Sequence, residues 1–270
     1  MTSSTLKTRK KKSQPLILLT NDDGIFAPGL EALARELKKK YTVRIVAPES
    51  EQSAVGHALT LTQPLRVKEV TKNGRWYGFA VSGTPADCVK LALHELISPF
   101  PDILISGINM GPNVGVNVIY SGTVSAATEG AMMGLTSMAV SINAFHTDRF
   151  EGAARIASDL TDRLLQTPLP PGVSLNVNVP DLPLSRIKGI RIVRQGTFRF
   201  RERFEKRTDP RENIYYWQAG ILPPPEEAPD TDHALLSEGY VTLTPISFDL
   251  THYPSLNRLS HLTRKLAVKK

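Results

Sequence analysis

Short apolar runs alternate with segments of helical periodicity along the first 166 residues. The runs are typical of strands buried on both faces of a sheet, and they occupy residues 16–19, 43–47, 76–81, 102–106 and 139–142. Apolar positions three and four apart predict helices between them, over residues 28–37, 85–96, 125–134 and 150–166. This alternation predicts an α/β fold with a Rossmann-like, doubly wound and mostly parallel sheet.

The pattern changes after residue 168, where strand signals follow one another without helices between them. Strands are predicted at residues 175–179, 190–193, 197–204, 215–217 and 241–245. We therefore expect a C-terminal β-rich extension next to the core domain. The predicted organisation is a disordered basic tail (1–14), an α/β core domain with the active site (15–185), a strand-rich extension (186–252) and a basic C-terminal tail (253–270).

Composition narrows the class of protein. The chain has 270 residues and 41% apolar content, which suffices for one large core. Its one cysteine, Cys88, excludes a disulfide framework, fits a reducing compartment and lies among apolar residues of a predicted helix. No segment is long enough to span a bilayer, and the basic residues 7–12 precede an apolar run too short for a signal peptide.

The net charge of +7 fits a partner that is nucleic acid or an anionic small substrate. Much of the positive charge lies in the two tails and in residues 191–211, where arginines alternate with phenylalanines. Such alternation suits a two-stranded ribbon with one basic face. A subunit-contact arm, a surface for phosphate-rich polymers and a solvated face are all compatible with this stretch.

Two adjacent carboxylates, Asp22 and Asp23, follow the first predicted strand within the sequence Asn-Asp-Asp-Gly. Open α/β sheets bind ligands just beyond the carboxyl ends of their strands. Neighbouring carboxylates there repel each other and lose hydration, and a hard divalent cation is the simplest compensation. The alternative is that both aspartates cap a turn.

Other strand ends carry oxygen-bearing side chains. Asn109 follows the strand at 102–106, where its amide oxygen would suit a hard cation or its side chain would serve a glycine-rich turn. Ser121-Gly122-Thr123 precedes a predicted helix and would form a phosphate cradle or an ordinary N-cap. Segments 49–54 and 82–84 add hydroxyls and carboxylates, and His57 lies nearby as an acid–base group or a structural hydrogen-bond partner. Together these residues predict a rim for a divalent cation and a phosphate.

Six ordered blocks of the sequence resemble the SurE family, the metal-dependent survival-protein nucleotidases. The resemblance runs from residue 16 to about residue 251, and its blocks lie at 19–24, 47–54, 82–87, 106–109, 120–124 and 231–241. It implies a three-layer αβα fold and a 5′-nucleotidase, a phosphoric monoester hydrolase. The implied substrates are nucleoside 5′-monophosphates, with 3′-monophosphates and polyphosphate as further candidates.

The same resemblance implies one divalent cation per subunit, Mg²⁺ or Mn²⁺. The implied metal ligands are Asp22, Asp23, Ser53 and Asn109. The implied catalytic residues are Asp22, Asp23 and Asn109. The implied phosphate-binding residues are Asn109, Ser121, Gly122 and Thr123. One departure concerns Asn117, which stands where many members of the family carry an acidic residue.

The resemblance also implies a cytoplasmic homodimer or homotetramer that exchanges C-terminal strand arms, which favours the subunit-contact interpretation of residues 191–217. No membrane partner is expected. Two rival functions remain. An aspartyl-phosphate phosphatase would use Asp-x-Asp, whereas Asp22 and Asp23 are adjacent. A non-catalytic nucleotide- or nucleic-acid-binding protein would use the Arg-rich ribbon and show a steep dependence on salt.

Overall fold

The computed structural model of the protein describes residues 14–197, 201–221 and 228–263. The strands are β1 (Leu16–Thr20), β2 (Thr42–Pro48), β3 (Val67–Lys72), β4 (Arg75–Val81), β5 (Ile103–Met110), β6 (Thr136–Asn143), β7 (Val173–Pro180), β8 (Ile190–Ile192), β9 (Arg201–Thr208), β10 (Ile214–Ile221) and β11 (Val241–Ser247). The α-helices are α1 (Pro28–Leu37), α2 (Pro85–Leu91), α3 (Gly122–Met132), α4 (Glu151–Gln166), α5 (Asp232–Ser237) and α6 (Tyr253–Leu259). None of the described helices combines the length and the apolarity needed to cross a membrane.

Nine strands form the main sheet, in the order β3-β4-β2-β1-β5-β6-β7-β11-β8. The six central strands, from β4 to β7, run parallel to their neighbours. After β1 the chain moves outward to β2, and later it returns to the other side of β1 to form β5. The strand order therefore reverses between β1 and β5. Such a switch point opens a crevice at the carboxyl ends of the two strands.

Helices cover both faces of this sheet. Ile17 and Leu19 of β1 pack with α1 and α4, whereas Leu18 points to the opposite face and packs with α2 and α3. All five residues of β1 are buried, as a strand covered on both faces requires. The structure thus has three layers, and the predicted doubly wound αβα fold is confirmed.

Two helix starts follow directly from the sequence. Thr84 caps α2 through a capping box: its hydroxyl accepts a hydrogen bond from the Asp87 amide, while the Asp87 carboxylate accepts one from the Thr84 amide. Ser121 caps α3 by accepting a hydrogen bond from the Val124 amide at 3.1 Å. The apolar residues of these helices then face the sheet. The N-terminus of α3 comes to lie beside the crevice between β1 and β5.

The C-terminal strands divide between two structures. β11 pairs antiparallel with β7 and parallel with β8, so both join the main sheet although they lie in the predicted extension. β9 and β10 form a separate two-stranded sheet, called here the ribbon. The prediction that a strand begins at residue 197 needs correction, because β9 begins at Arg201, and Phe198, Arg199 and Phe200 lie outside the described residues.

Three further features differ from the pattern-based expectation. Strand β3 was not predicted; it has a largely exposed sequence and pairs antiparallel with β4 at the edge of the sheet. β5 continues to Met110, beyond the predicted end at residue 106, with a register shift between Gly107 and Asn109. Residues 253–259 of the predicted C-terminal tail form α6.

A candidate metal and phosphate site

The carboxyl ends of β1 and β5 place the predicted site residues on one cavity of about 310 Å³. Asp22, Ser53, Asn109 and Ser121 all line it. The other lining residues come from the segments around them: Ala54, Met110, Gly111, Pro112, Asn113, Asn117, Tyr120 and Phe145. Asp23, Gly122 and Thr123 are not among the residues that line the cavity. They lie next to Asp22 instead: Asp23 follows it in the chain, and Gly122 and Thr123 approach it from the start of α3.

The turn after β1 fixes the two aspartates. Asn21 Nδ2 donates a hydrogen bond to the Gly24 carbonyl at 2.9 Å, which closes the turn. Gly24 adopts a φ of +97°, and a Cβ there would lie 3.3 Å from the Ser50 backbone. The Gln52 amide donates to the Asp22 carbonyl at 2.7 Å. The loop after β2, which carries Ser53, is therefore held directly against the turn that carries Asp22.

Asp22 is buried against the N-terminus of α3. The Thr123 hydroxyl donates a hydrogen bond to Asp22 Oδ1, and the backbone amides of Asp22 and Thr123 also interact with this carboxylate. A Cβ at Gly122 would lie 2.8 Å from Asp22 Cβ, so only glycine permits this approach. Burial raises the pKa of Asp22, while hydrogen bonds from Thr123 oppose the change.

Asp23 is strongly affected by its surroundings. Burial first, and then the charges of Asp22 and Glu51, raise the pKa of Asp23 to about 7. Each of these causes acts in the same direction, and no cationic side chain of the described residues offsets them. Two carboxylates in this environment repel each other and gain from a bound cation.

The remaining candidate ligands supply neutral oxygens. Asn109 Nδ2 donates to the Gly111 carbonyl at 2.7 Å, which orients the amide and leaves its Oδ1 available. Ser53 lies in an exposed loop, and its hydroxyl donates to Glu51 Oε1 at 2.6 Å. Carboxylate, amide and hydroxyl oxygens form a hard donor set with a charge suited to a divalent cation. The residues present therefore fit such an ion.

This donor set depends on more than carboxylates. Within the described part of the chain, no three residues among His, Cys, Asp and Glu are grouped so that they could hold a metal. A cation here would require the amide of Asn109 and the hydroxyl of Ser53 in addition to the aspartates. Such a mixture of oxygen ligands is typical of Mg²⁺ and Mn²⁺ rather than of zinc.

His57 has a structural partner instead of a place in the cavity lining. Its Nε2 lies 2.7 Å from Glu129 Oε2, and Lys90 Nζ lies 3.0 Å from Glu129 Oε1. The hydrogen bond from His57, followed by that from Lys90, lowers the pKa of Glu129 against the effect of burial. The Gly56 amide donates to the Tyr120 carbonyl at 3.0 Å. These contacts attach the Ser53 loop to α3 and to the segment before it.

Sequence reasoning missed several residues of the site. Glu51 contacts Ser53 and affects Asp23, although only Ser53 was singled out from its segment. Phe145 and Tyr120 line the cavity with 66% and 58% of their surfaces exposed. Phe145 comes just after β6, so the strand-end rule that located Asn109 would have found it as well.

Comparisons with known proteins all lead to one family. The family model "Survival protein SurE" matches residues 17–202. The 5′-nucleotidase SurE of Syntrophobacter fumaroxidans is 53% identical over 243 residues, which cover 90% of this chain and 97% of the relative. The 5′-nucleotidase SurE of Syntrophus aciditrophicus is 51% identical over 249 residues, covering 92% and 94%. The crystal structure of the SurE protein from Aquifex aeolicus superposes with a TM-score of 0.80 at 39% identity, covering 92% of this chain and 99% of that one.

Proposed function

Because the chain belongs to the SurE family, we propose that it is a 5′-nucleotidase that hydrolyses nucleoside 5′-monophosphates to a nucleoside and phosphate in a metal-dependent reaction. The observation that carries the proposal is the single cavity at the switch point between β1 and β5, which joins Asp22, Ser53, Asn109 and Ser121. Its relatives at about half identity are named 5′-nucleotidases. 3′-Monophosphates and polyphosphate are proposed as further substrates.

The proposed metal site consists of Asp22, Asp23, Ser53 and Asn109 and holds one divalent cation, Mg²⁺ or Mn²⁺. When bound, such a cation polarises a phosphate oxygen and acidifies a water molecule. The hydrogen bond from the Thr123 hydroxyl to Oδ1 orients the Asp22 carboxylate. The hydrogen bond from Asn109 to Gly111 presents the amide oxygen in the same way.

The chain's own groups then handle the substrate. In hydrolysis, a water oxygen forms a bond to phosphorus, the bond from phosphorus to the ester oxygen breaks, and the leaving nucleoside oxygen takes up a proton. We assign the orientation of the water, and the acceptance of its proton, to the free carboxylate oxygens of Asp22 or Asp23.

The N-terminus of α3 is the proposed phosphate site, with Asn109, Ser121, Gly122 and Thr123 around it. Backbone amides in the first turn of a helix have no partners within the helix and favour an anion. Both the hydroxyl and the backbone amide of Thr123 interact with the Asp22 carboxylate, so Thr123 connects Asp22 to the proposed phosphate site. Asn109 and Ser121 line the cavity on either side.

The alternative of a non-catalytic nucleic-acid-binding protein is not favoured. An acidic pair beside a phosphate is unfavourable for a binder that lacks a cation. The ribbon on which that alternative depends is not uniformly basic, because Arg207 pairs with Glu205 at 2.9 Å. The adjacent aspartates likewise depart from the Asp-x-Asp arrangement of the aspartyl-phosphate alternative.

The ribbon is instead proposed as an oligomerisation arm of a homodimer or homotetramer. Among the described residues, β9 and β10 pair only with each other. Phe204, Tyr216 and Trp217 on the ribbon each expose about 60% of their surfaces, a concentration of apolar area that favours a protein partner. We also propose a cytoplasmic location, with which the buried free thiol of Cys88 is compatible.

The test of the proposed function is phosphate release from nucleoside 5′- and 3′-monophosphates and polyphosphate. Each substrate is assayed in EDTA, and then with Mg²⁺ or Mn²⁺ restored. We expect release from the 5′-monophosphates that stops with chelator and returns with metal. Absence of release under every metal, together with binding of nucleic acid that weakens steeply with salt, would favour the binding-protein alternative.

A second prediction concerns the attachment of the Ser53 loop. His57→Ala removes the contact of His57 with the buried Glu129 carboxylate and leaves that of Lys90 in place. We expect the metal concentration needed for half-maximal activity to rise roughly five- to tenfold, which is the lower range for groups that hold a ligand in position. Metal titrations of wild type, His57→Ala and the exposed-histidine control His94→Ala measure this. An unchanged titration for His57→Ala would mean that the loop is fixed by its backbone contacts alone.

A further inference from the structure

Residues 111–120, called here the wall segment, connect β5 to the start of α3 and form one side of the cavity. Asn113, Asn117 and Tyr120 of this segment line the cavity directly. The segment contains only a short 3-10 turn, Gly115–Tyr120. Its position must therefore be set by contacts from elsewhere in the molecule.

One such contact is made by Asp232, a fully buried residue at the start of α5. Asp232 Oδ2 accepts a hydrogen bond from the Gly115 amide at 3.0 Å. Asp232 Oδ1 accepts one from the Gly196 amide at 2.9 Å and another from the His233 amide at 2.8 Å. One carboxylate thus joins the wall segment, the chain that leads into the ribbon and helix α5.

The same connection is reinforced from the other side of Gly115. Gln195 Nε2 donates to the Gly115 carbonyl at 2.7 Å, so both backbone polar groups of Gly115 contact the C-terminal part of the chain. The Asp232 amide in turn donates to the Arg194 carbonyl at 3.0 Å. Residues 194–196 and Asp232 are therefore connected to each other, and together they hold Gly115.

Asn113 provides a second anchor two residues earlier. Its amide donates to Asn178 Oδ1 at 2.8 Å, and its carbonyl accepts from Asn176 Nδ2 at 2.7 Å. Its own side chain donates to Ser141 Oγ at 2.9 Å. This anchor attaches the wall segment to the ends of β6 and β7. Without the contact from Asp232, the wall segment would retain this anchor at residue 113, and Gly115 would keep only the contact of its carbonyl with Gln195 among the two described here.

We propose that Asp232 is a positioning residue of the nucleotidase site: it fixes the wall segment through Gly115 and connects that segment to the base of the ribbon. The inference rests on the proposed function for its kinetic consequence. A carboxylate is costly to bury, and an apolar side chain could fill the same space. An apolar side chain, however, cannot accept hydrogen bonds from the amides of separate segments, and so it cannot fix the positions of those segments relative to one another.

The consequence is a selective effect on substrate binding. The wall segment is one side of the cavity, whereas the proposed metal ligands belong to other segments: the turn after β1, strand β5 and the Ser53 loop. In Asp232→Asn, an NH₂ group replaces one oxygen and faces a backbone N–H, which leaves a buried donor unsatisfied. We expect KM for nucleoside 5′-monophosphates to rise about tenfold, kcat to change less than about threefold, and the stabilisation by Mn²⁺ to persist.

The control is Asp102→Asn, at an exposed residue, whereas Asp232 is fully buried. Asp102 Oδ2 also accepts a hydrogen bond from a backbone amide, that of Leu16 at 2.8 Å, but at the amino end of β1 and away from the cavity. A loss of general stability lowers the melting temperature and leaves KM unchanged. The control therefore separates a structural effect of a lost carboxylate from an effect on the wall segment.

The experiment measures KM, kcat and melting temperature for wild type, Asp232→Asn and Asp102→Asn, together with amide hydrogen exchange. Faster exchange confined to residues 111–120 and 194–197, with a raised KM in Asp232→Asn alone, is the expected result. A lower melting temperature with unchanged KM and unchanged exchange at 111–120 would overturn the proposal. Hydrogen exchange needs no turnover, so it tests the positioning role even if wild type shows no nucleotidase activity. If Asp232→Asn does not fold, Gln195→Ala, which removes the side-chain contact to the Gly115 carbonyl, is tested by the same criteria.

Discussion

Asp22→Asn is expected to lower kcat/KM for nucleoside 5′-monophosphates roughly a thousandfold, as is usual when a group that stabilises the reacting centre loses its charge. Asn retains the size of the side chain and an Oδ1 that can accept the Thr123 hydroxyl. What the substitution removes is the negative charge at the carboxyl end of β1. The expected loss is therefore chemical in origin and not a consequence of misfolding.

Although Asp22→Asn is expected to lower kcat/KM, it should not lower the stability of the metal-free protein. Asp22 lies near Asp23 and Glu51, and these like charges raise the pKa of Asp23 in addition to the effect of burial. Removing one of the charges relieves this repulsion. We expect the melting temperature of metal-free Asp22→Asn to equal or exceed that of wild type, while the upward shift caused by Mn²⁺ is lost. In wild type that shift corresponds to about 2.7 kcal/mol at a hundredfold excess of metal over its Kd.

A suitable control is Asp181→Asn. Asp181 follows β7 at the same edge of the sheet, pairs with Arg149 at 2.9 Å and is absent from the described lining of the cavity. Its substitution should leave kcat/KM within about twofold, as surface changes away from a site usually do. Full metal-dependent activity in Asp22→Asn would contradict the assignment of Asp22 as a ligand.

The parts of this site that the sequence predicts are those governed by local rules. An apolar run that ends in Asn-Asp-Asp-Gly identifies β1 and places Asp22 at its carboxyl end. The same rule places Asn109 at the end of β5, because parallel strands bring their carboxyl ends to one edge of a sheet. The capping residues Thr84 and Ser121 are likewise readable from a few neighbouring positions.

The parts that the sequence does not predict are contacts between distant segments. His57 and Glu129 are 72 positions apart, and Gly115 and Asp232 are 117 apart. No local pattern states which buried carboxylate will meet which loop, because that depends on how α3 and α5 pack on the sheet. The block at residues 231–241, which contains Asp232, was visible in the sequence only as part of the family resemblance, without a role.

Edge elements form a third class. β3 has no continuous apolar run, and it forms because β4 offers an unpaired edge for antiparallel pairing. The extension of β5 to Met110 depends on Gly107, where a Cβ would lie 2.3 Å from the Val140 carbonyl oxygen. In both cases the local sequence permits the element, and pairing with the neighbouring strand decides that it forms there.

Gly122→Ala tests the site by geometry instead of charge, and we expect it to lower kcat/KM roughly a hundredfold, the loss that a displacement of about 1 Å can cause. Its new Cβ would lie 2.8 Å from Asp22 Cβ and 3.0 Å from Asp22 Oδ2. Because Pro85 Cγ, at 3.2 Å, restricts movement on another side, Asp22 has to shift away from α3. Overpacking of this kind costs about 1–3 kcal/mol of stability.

Gly152→Ala provides the matched control, since Gly152 also lies in the first turn of a helix, α4. A Cβ there would lie 3.6 Å from Leu184 Cδ2, an ordinary contact. This variant should keep wild-type activity and gain up to about 1 kcal/mol of stability from helix propensity. Measurements of kcat/KM and of the Mn²⁺-induced shift in melting temperature compare the two. If Gly122→Ala stays within threefold of wild type and keeps the Mn²⁺ shift, the close approach of α3 to Asp22 does not position that carboxylate for catalysis, and the role assigned to Asp22 fails with it.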